Sequence, residues 1–384
     1  MTFPAIEHDV LTFTSGLSAR LASRSRHVSA FLGAGTSKAC GLPDVAQLQK
    51  TISAKLSGSE KSHFDALLKS RDLEQVLSRL RRIAAIVEGS DLIDGLDAKS
   101  ATDLDARVCE LIVSEVSTSA CDLTPVTAFA AWVARADYTR PVEIFTVNYD
   151  LLIEQALDEQ AVPYFDGFVG TTRARFRSDL VEATSSDEHH IPGLFARLWK
   201  LHGSLNWEQG KSLVVRLGVP VPSGSPAAIY PSDTKYEESR RVPFVVLQDR
   251  LRRALNEPES LTLVSGYSWS DEHLNEPFFE ATKRRPRSEV IAFCYESIPD
   301  TLAEQAVITP NLQVVTKTEA ILGGIRAPWR APAESLPTDI WKNNTVALGD
   351  FGALSKFLAR ATTAPLLLPA HSVADTEDDK DDNA

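Results

Sequence analysis

The chain of 384 residues has four cysteines and a single methionine. Cys40, Cys109, Cys121 and Cys294 are scattered and form no CxxC pair, which argues against a zinc ribbon and against a secreted disulfide framework. Cys294 lies in an apolar run and reads as a small core residue, not a nucleophile. Long apolar runs are also missing. The longest, 364–370, contains prolines and is far too short to span a bilayer, so no membrane association is expected. The N-terminus lacks a basic segment followed by an apolar core, so no secretory signal is evident and a cytoplasmic location is expected. Net positive charge is absent as well. The formal charge is −12, which disfavours direct nucleic-acid binding. Local basic clusters at 173–177 and 283–287 read as solvated loops or a partner surface. The His189-His190 pair has no cysteine or regular carboxylate spacing beside it, and no metal is expected.

Against these absences stand five apolar runs, each followed by small or polar residues. Phe31-Leu32 precedes Gly33-Ala34-Gly35-Thr36-Ser37, and Ile144-Phe145-Thr146-Val147 precedes Asn148-Tyr149-Asp150. Leu198-Trp199-Lys200-Leu201 precedes His202-Gly203-Ser204, and Leu261-Thr262-Leu263-Val264 precedes Ser265-Gly266-Tyr267-Ser268. Ile291-Ala292-Phe293-Cys294 precedes Tyr295-Glu296-Ser297. Parallel strands buried on both faces read as continuous apolar runs, and ligands bind at their carboxyl ends. The pattern predicts an α/β fold: a Rossmann-like, mostly parallel sheet with a helical insertion.

The expected organisation is a Rossmann-like domain from 1–44 and 121–330, interrupted by a helical insertion over 45–120. The insertion places Leu73, Val76, Leu77, Leu80 and Ile83 on one helical face, with Arg79, Arg81 and Arg82 mostly on the other. It reads as covering or flanking the ligand crevice. A short amphipathic helix is expected over 8–24. Residues 164–192 read as a long polar connection of the kind that forms a lid, a binding loop or disorder, and 208–235 are again rich in Gly, Pro and Ser. Residues 331–370 form a C-terminal extension, with a helix through Leu354, Phe357 and Leu358. The acidic tail 371–384 is expected to be disordered.

The glycine turn has the start of a dinucleotide fingerprint. Gly33 permits a tight turn and Gly35 lets backbone approach a phosphate at a helix N-terminus, but Lys38 replaces the third glycine. Asp150 has an evident role as a helix N-cap. Asn148, at a strand end, can donate and accept hydrogen bonds, which suits orienting a sugar hydroxyl or a water. His202 offers an imidazole, which titrates near pH ~6.5 and can remove a proton near neutrality. Asp271 reads as a helix cap with His273 packed on that helix, the alternative being that both face the crevice.

Taken in order, Gly33-Ala34-Gly35-Thr36-Ser37, Gly41-Leu42-Pro43-Asp44, Thr146-Val147-Asn148-Tyr149-Asp150, Lys200-Leu201-His202-Gly203-Ser204 and the segment from Gly266-Tyr267-Ser268 to Asp271-Glu272-His273 resemble the sirtuin family. More narrowly, they resemble bacterial sirtuin-like proteins that hydrolyse NAD in anti-phage defence. The resemblance implies that Asn148 and His202 are the catalytic pair. It further implies that Gly33, Ala34, Gly35, Thr36, Ser37, Pro43, Asp44, Asn148, Tyr149, Asp150, Gly203, Ser204, Gly266, Tyr267 and Ser268 hold NAD. Deacetylating sirtuins carry a four-cysteine zinc ribbon, a Gln-Asn-Ile-Asp sequence and a Phe-Arg after the Asp. This chain has no ribbon, Val147-Asn148-Tyr149-Asp150 and Val45-Ala46, which turn the reading away from peptide deacetylation.

NAD is then a substrate, cleaved to nicotinamide and ADP-ribose. Nicotinamide departs as a neutral pyridine, so no general acid is needed, unlike the leaving group of an O-glycoside. The rival readings are a non-hydrolytic sensor of NAD or ADP-ribose and an ADP-ribosyltransferase. Unrestrained hydrolysis would drain the cell's cofactor. A gated homo-oligomer is therefore expected, with a HerA-like hexameric ATPase or helicase as the partner that the resemblance suggests.

Overall fold

A computed structural model describes residues 6–89, 91–118, 120–183, 195–210, 213–222, 227–229 and 242–361. The His189-His190 pair, the apolar run 364–370 and the acidic tail 371–384 lie outside the described residues. Ten strands form one sheet. Their order is His8–Asp9, Ile325–Arg330, Glu319–Leu322, Leu312–Val315, Glu289–Phe293, Leu261–Ser265, Val28–Leu32, Glu143–Thr146, Ala196–Lys200 and Tyr164–Phe165. From Leu312–Val315 to Tyr164–Phe165 every neighbouring pair is parallel. The expected α/β, Rossmann-like sheet is therefore present.

The strands Val28–Leu32, Ala196–Lys200 and Leu261–Ser265 are buried along their whole length, as layers covered on both faces require. The chain runs outward through Val28–Leu32, Glu143–Thr146 and Ala196–Lys200. It then returns to lay Leu261–Ser265, Glu289–Phe293 and Leu312–Val315 on the opposite side. The reversal falls between Val28–Leu32 and Leu261–Ser265, where a doubly wound sheet opens its ligand crevice. The register pairs Leu32 with Ser265 and with Thr146, and Thr146 with Lys200. Gly33, Val147, Leu201 and Gly266 consequently emerge at one edge.

The amino edge of the sheet is held by a buried charged cluster. Glu143, 1% exposed, accepts from Trp199 Nε1 at 2.7 Å, from Arg250 Nε at 2.7 Å and through a second contact from Arg250 Nη2. His27 Nε2 lies 2.8 Å from its other oxygen. Burial opposes ionisation of this carboxyl, yet the charge of Arg250 and the bond from His27 hold it well below the usual carboxylate range. Arg197, buried nearby, is driven down to about 10 by desolvation.

The helices Val45–Lys55, Gly58–Leu68, Leu73–Ile86 and Ala98–Thr118 make up the insertion. Asp44 and Asp72 start two of them with capping boxes closed by Gln47 and Gln75. Leu73, Val76, Leu77, Leu80 and Ile83 are all buried, and with Leu48, Ile52, Phe64 and Ile112 they form a core separate from the two that flank the sheet. Arg79 pairs with Asp94 near the surface, whereas Arg81 departs from the expected outer face: it is largely buried and pairs with Asp105 of Ala98–Thr118. The expected N-terminal helix occupies Val10–Leu21.

Residues 164–183 differ from the expected loop. A second, antiparallel sheet runs Ala227–Ile229, Gly203–Gln209, Val214–Leu217, Arg173–Phe176, Phe168–Val169, followed by the helix Ser178–Ala183. The basic cluster at 173–177 is thus largely a strand: Ala174 points inward while Arg173 and Arg175 are exposed. The helix Phe351–Ala361 likewise belongs to the main body. Its Phe351, Leu354, Phe357 and Leu358 join the same core as Phe129 and Trp132 of Thr124–Arg135.

Replacing Glu143 by Gln leaves Arg250 buried beside a neutral group and is expected to cost about 3–5 kcal/mol of stability by urea denaturation at pH 7. The folded carboxyl titrates below its unfolded value of 4.5, so its contribution is complete above that pH and is lost as pH falls further. The gap between wild type and Glu143→Gln should therefore narrow from pH 6 to pH 3; a constant gap would refute the linkage.

Candidate functional site

The turn after Val28–Leu32 is packed backbone to backbone against the turn after Leu261–Ser265. Gly33 N–H donates to the Ser265 carbonyl at 2.9 Å, and Gly35 N–H to the Gly266 carbonyl at 2.8 Å. A Cβ on Gly33 would lie 2.5 Å from the Gly266 oxygen, and one on Gly35 would lie 2.7 Å from Gly266 Cα. Gly266 itself sits at φ +67 with Thr36 N 2.5 Å from its notional Cβ. Glycine is demanded at all three positions by this close approach. Thr36 N–H donates to the Gly33 carbonyl at 3.0 Å. The amides of Gly33, Gly35 and Thr36 thus bond within the protein, which departs from the expectation that this turn presents them to a phosphate.

Asn148 is locked onto the same turn. Its Nδ2 donates to the Gly33 carbonyl at 3.0 Å, Thr36 Oγ1 at 2.9 Å and Ser37 Oγ at 2.9 Å. Three acceptors share two hydrogens, so the end that can serve a ligand is Oδ1, an acceptor. The expected two-way carboxamide is therefore one-way. Ser37 Oγ passes the polarity on, donating to Asp150 Oδ2 at 2.5 Å. Asp150 Oδ1 accepts from Leu152 N–H at 3.1 Å. The cap position of Leu152–Glu159 is Leu151, so Asp150 acts one residue earlier than expected.

The rest of the loop is tethered on two further sides. The Tyr149 carbonyl accepts from Leu205 N–H at 2.8 Å, while its side chain packs against the insertion's core. Buried Lys200 donates to the Asp150 carbonyl and to Glu154 Oε1 at 2.8 Å. His202 is half-buried, followed by Gly203 at φ +86.

These elements enclose an open crevice of about 790 Å³, mouth included. Its walls are Ala34, Ser37, Leu42, Pro43, Val147, Asn148, Tyr149, Asp150 and His202 from the sheet edge. The insertion adds Val45, Leu73, Leu77, Ile112 and Val116. Asn148 and His202 therefore share one cleft. The insertion was expected to cover or flank the ligand crevice, and five of its residues line it; among the described residues, no lysine or arginine does.

Other expected ligand residues lie outside that wall. Gly33, Gly35 and Thr36 stand behind Asn148. The Asp44 carboxylate accepts from Gln47 N–H at 2.9 Å and pairs with Lys38 at 2.9 Å. Gly203 and buried Ser204 open the next strand. Across the glycine turn, Tyr267 OH donates to Asn275 Oδ1 at 2.9 Å with its ring edge-on to Phe31, and Ser268 pairs with Ser270 at 2.7 Å. Asp271 caps Glu272–Arg284 as expected, and neither Asp271 nor the exposed His273 lines the crevice. Burial pushes the thiols of Cys40 and Cys294 up to about 12, so neither supplies a thiolate. Among the described residues, no group of three or more His, Cys, Asp or Glu is placed to hold a metal, and no helix is long and apolar enough to cross a membrane.

Residues 142–313 match a family model described as a SIR2-like domain. The match takes in Asn148, His202 and the Gly266 turn and begins after the Gly33 turn and the insertion. It supports a sirtuin-like family for this segment, and SIR2-like domains use NAD. No curated protein matches the chain.

Gly266→Ala combines a left-handed backbone with a Cβ driven into Thr36 N. It is expected to lower stability by about 1–3 kcal/mol and to loosen Asn148 through the displaced turn. A melting temperature equal to wild type would show that the two turns tolerate separation.

Proposed function

We propose that this chain is an NAD glycohydrolase that releases nicotinamide and ADP-ribose. The observation that carries the reading is the convergence of Asn148 and His202 on one crevice at the carboxyl edge of the parallel strands. A SIR2-like match over the segment holding both residues supports it.

The wall chemistry suits the pyridinium and ribose end of the substrate. An apolar face from Leu73, Leu77, Ile112 and Val116 accepts a ring, and Asp150 is compatible with its positive charge. Among the described residues no cation lines this crevice, so this reading assigns the lined space to the nicotinamide-ribose end and not to the pyrophosphate. In the hydrolysis, the C–N bond breaks and its electron pair returns to the pyridine nitrogen. A water oxygen bonds to the anomeric carbon and its proton passes to His202, directly or through a ribose hydroxyl. Asn148 Oδ1, the acceptor end, orients that water by receiving one of its hydrogens.

Such an activity must be gated to spare the cell's cofactor. We place it in an anti-phage effector assembled as a homo-oligomer with a HerA-like ATPase, for which gel filtration with and without that partner is the direct check. Purified His202→Ala is expected to lose about 10²–10⁴-fold in nicotinamide release. Asn148→Ala should lose at least as much, because it removes the water acceptor and the anchor of the turn together. Near-normal turnover in either removes that residue from the mechanism. Tight NAD binding by wild type with no nicotinamide released, alone or with its partner, would favour a sensor instead.

A further inference from the structure

Lys200 is 2% exposed, and the chemistry proposed for the crevice does not use it. It ends the strand Ala196–Lys200, pairs in register with Thr146, and so stands two residues before His202 opposite the position two residues before Asn148. Its ammonium lies between the Asp150 carbonyl, to which it donates, and Glu154 in the first turn of Leu152–Glu159, 2.8 Å away. Those two groups are the last joint of the Asn148-Tyr149-Asp150 loop and the start of the helix it feeds.

Burial raises the Glu154 carboxyl even with Lys200 beside it, so this pair is held against a real desolvation penalty. A buried ion pair contributes little stability over apolar residues of the same volume. What it supplies here is direction: one ammonium with three donors fixes a carbonyl and a carboxylate relative to the strand that carries His202.

We propose that Lys200 is a positioning residue for the Asn148–His202 pair. By clamping the Asp150 carbonyl and Glu154, it holds the loop at the height where Asn148 Nδ2 reaches Gly33, Thr36 and Ser37 and Oδ1 is left for the water. The kinetic consequence rests on the NAD-cleaving reading; the clamp itself does not.

Lys200→Met alone strands a buried carboxylate, so the deciding variant is the full-length double Lys200→Met/Glu154→Gln, which removes both charges together. It is expected to fold, to lose about 10²-fold in kcat for nicotinamide release as the nucleophile drifts from line, and to keep KM and ADP-ribose affinity by calorimetry. A folded double variant with wild-type kcat overturns the proposal. Hydrogen exchange across residues 146–152 is measured in parallel, with loss of protection expected in the double variant. Unchanged protection overturns the clamp even if no form of the protein cleaves NAD, whereas an inactive wild type with lost protection in the variant counts only against the NAD-cleaving reading.

Discussion

The carboxamide nitrogen of Asn148 donates into the turn that follows Val28–Leu32, and the crevice takes its shape from that link. Gly33, Thr36 and Ser37 supply the acceptors. They stand where they do because Gly33 and Gly35 lie against the backbone of Gly266. The chain of cause runs from a steric requirement at the sheet's reversal point, through three glycines, to the orientation of one amide. Ser37 extends it to Asp150. A side chain fixed in this way loses little further freedom when a ligand arrives, which is the condition for orienting a water at low entropic cost.

The insertion changes what that edge can bind. Its helices have a core of their own, yet Tyr149 and Leu205 reach into it from the sheet domain. Packing within the insertion is thereby transmitted to the residue between Asn148 and Asp150. The same helices turn Leu73, Leu77, Ile112 and Val116 toward the cleft. They make one wall of the cleft apolar.

The parts of the molecule that could be read in the residues share a physical trait. Strands of a parallel sheet covered on both faces must be apolar throughout, so Val28–Leu32, Ala196–Lys200 and Leu261–Ser265 stand out, and the polar residues at their ends stand out with them. The face of Leu73–Ile86 was equally visible because a buried helix repeats at a fixed period. The antiparallel sheet was not. Arg173-Ala174-Arg175-Phe176 alternates faithfully, but a short one-sided strand of arginines looks like a solvated loop until its inward positions are weighed separately. The glycines were recognised for a reason that proved incomplete. Gly33 and Gly35 answer first to Gly266, a contact more than two hundred residues away in sequence that no local pattern can announce.

Both edges of the central sheet hold buried charge, and the two sets act differently. At the amino edge, Glu143 gathers His27, Trp199 and Arg250 from separate elements, and its carboxylate is favoured because opposite charge surrounds it. At the carboxyl edge, Glu154 faces one ammonium that also serves a backbone carbonyl, and burial wins over that single partner. A cluster with several partners resists change and suits a foundation. The Lys200–Glu154 pair instead ties the Asp150 carbonyl and the first turn of Leu152–Glu159 to the strand that precedes His202. One buried cluster at the amino edge and one buried clamp at the carboxyl edge together hold a sheet of fixed register beneath the crevice.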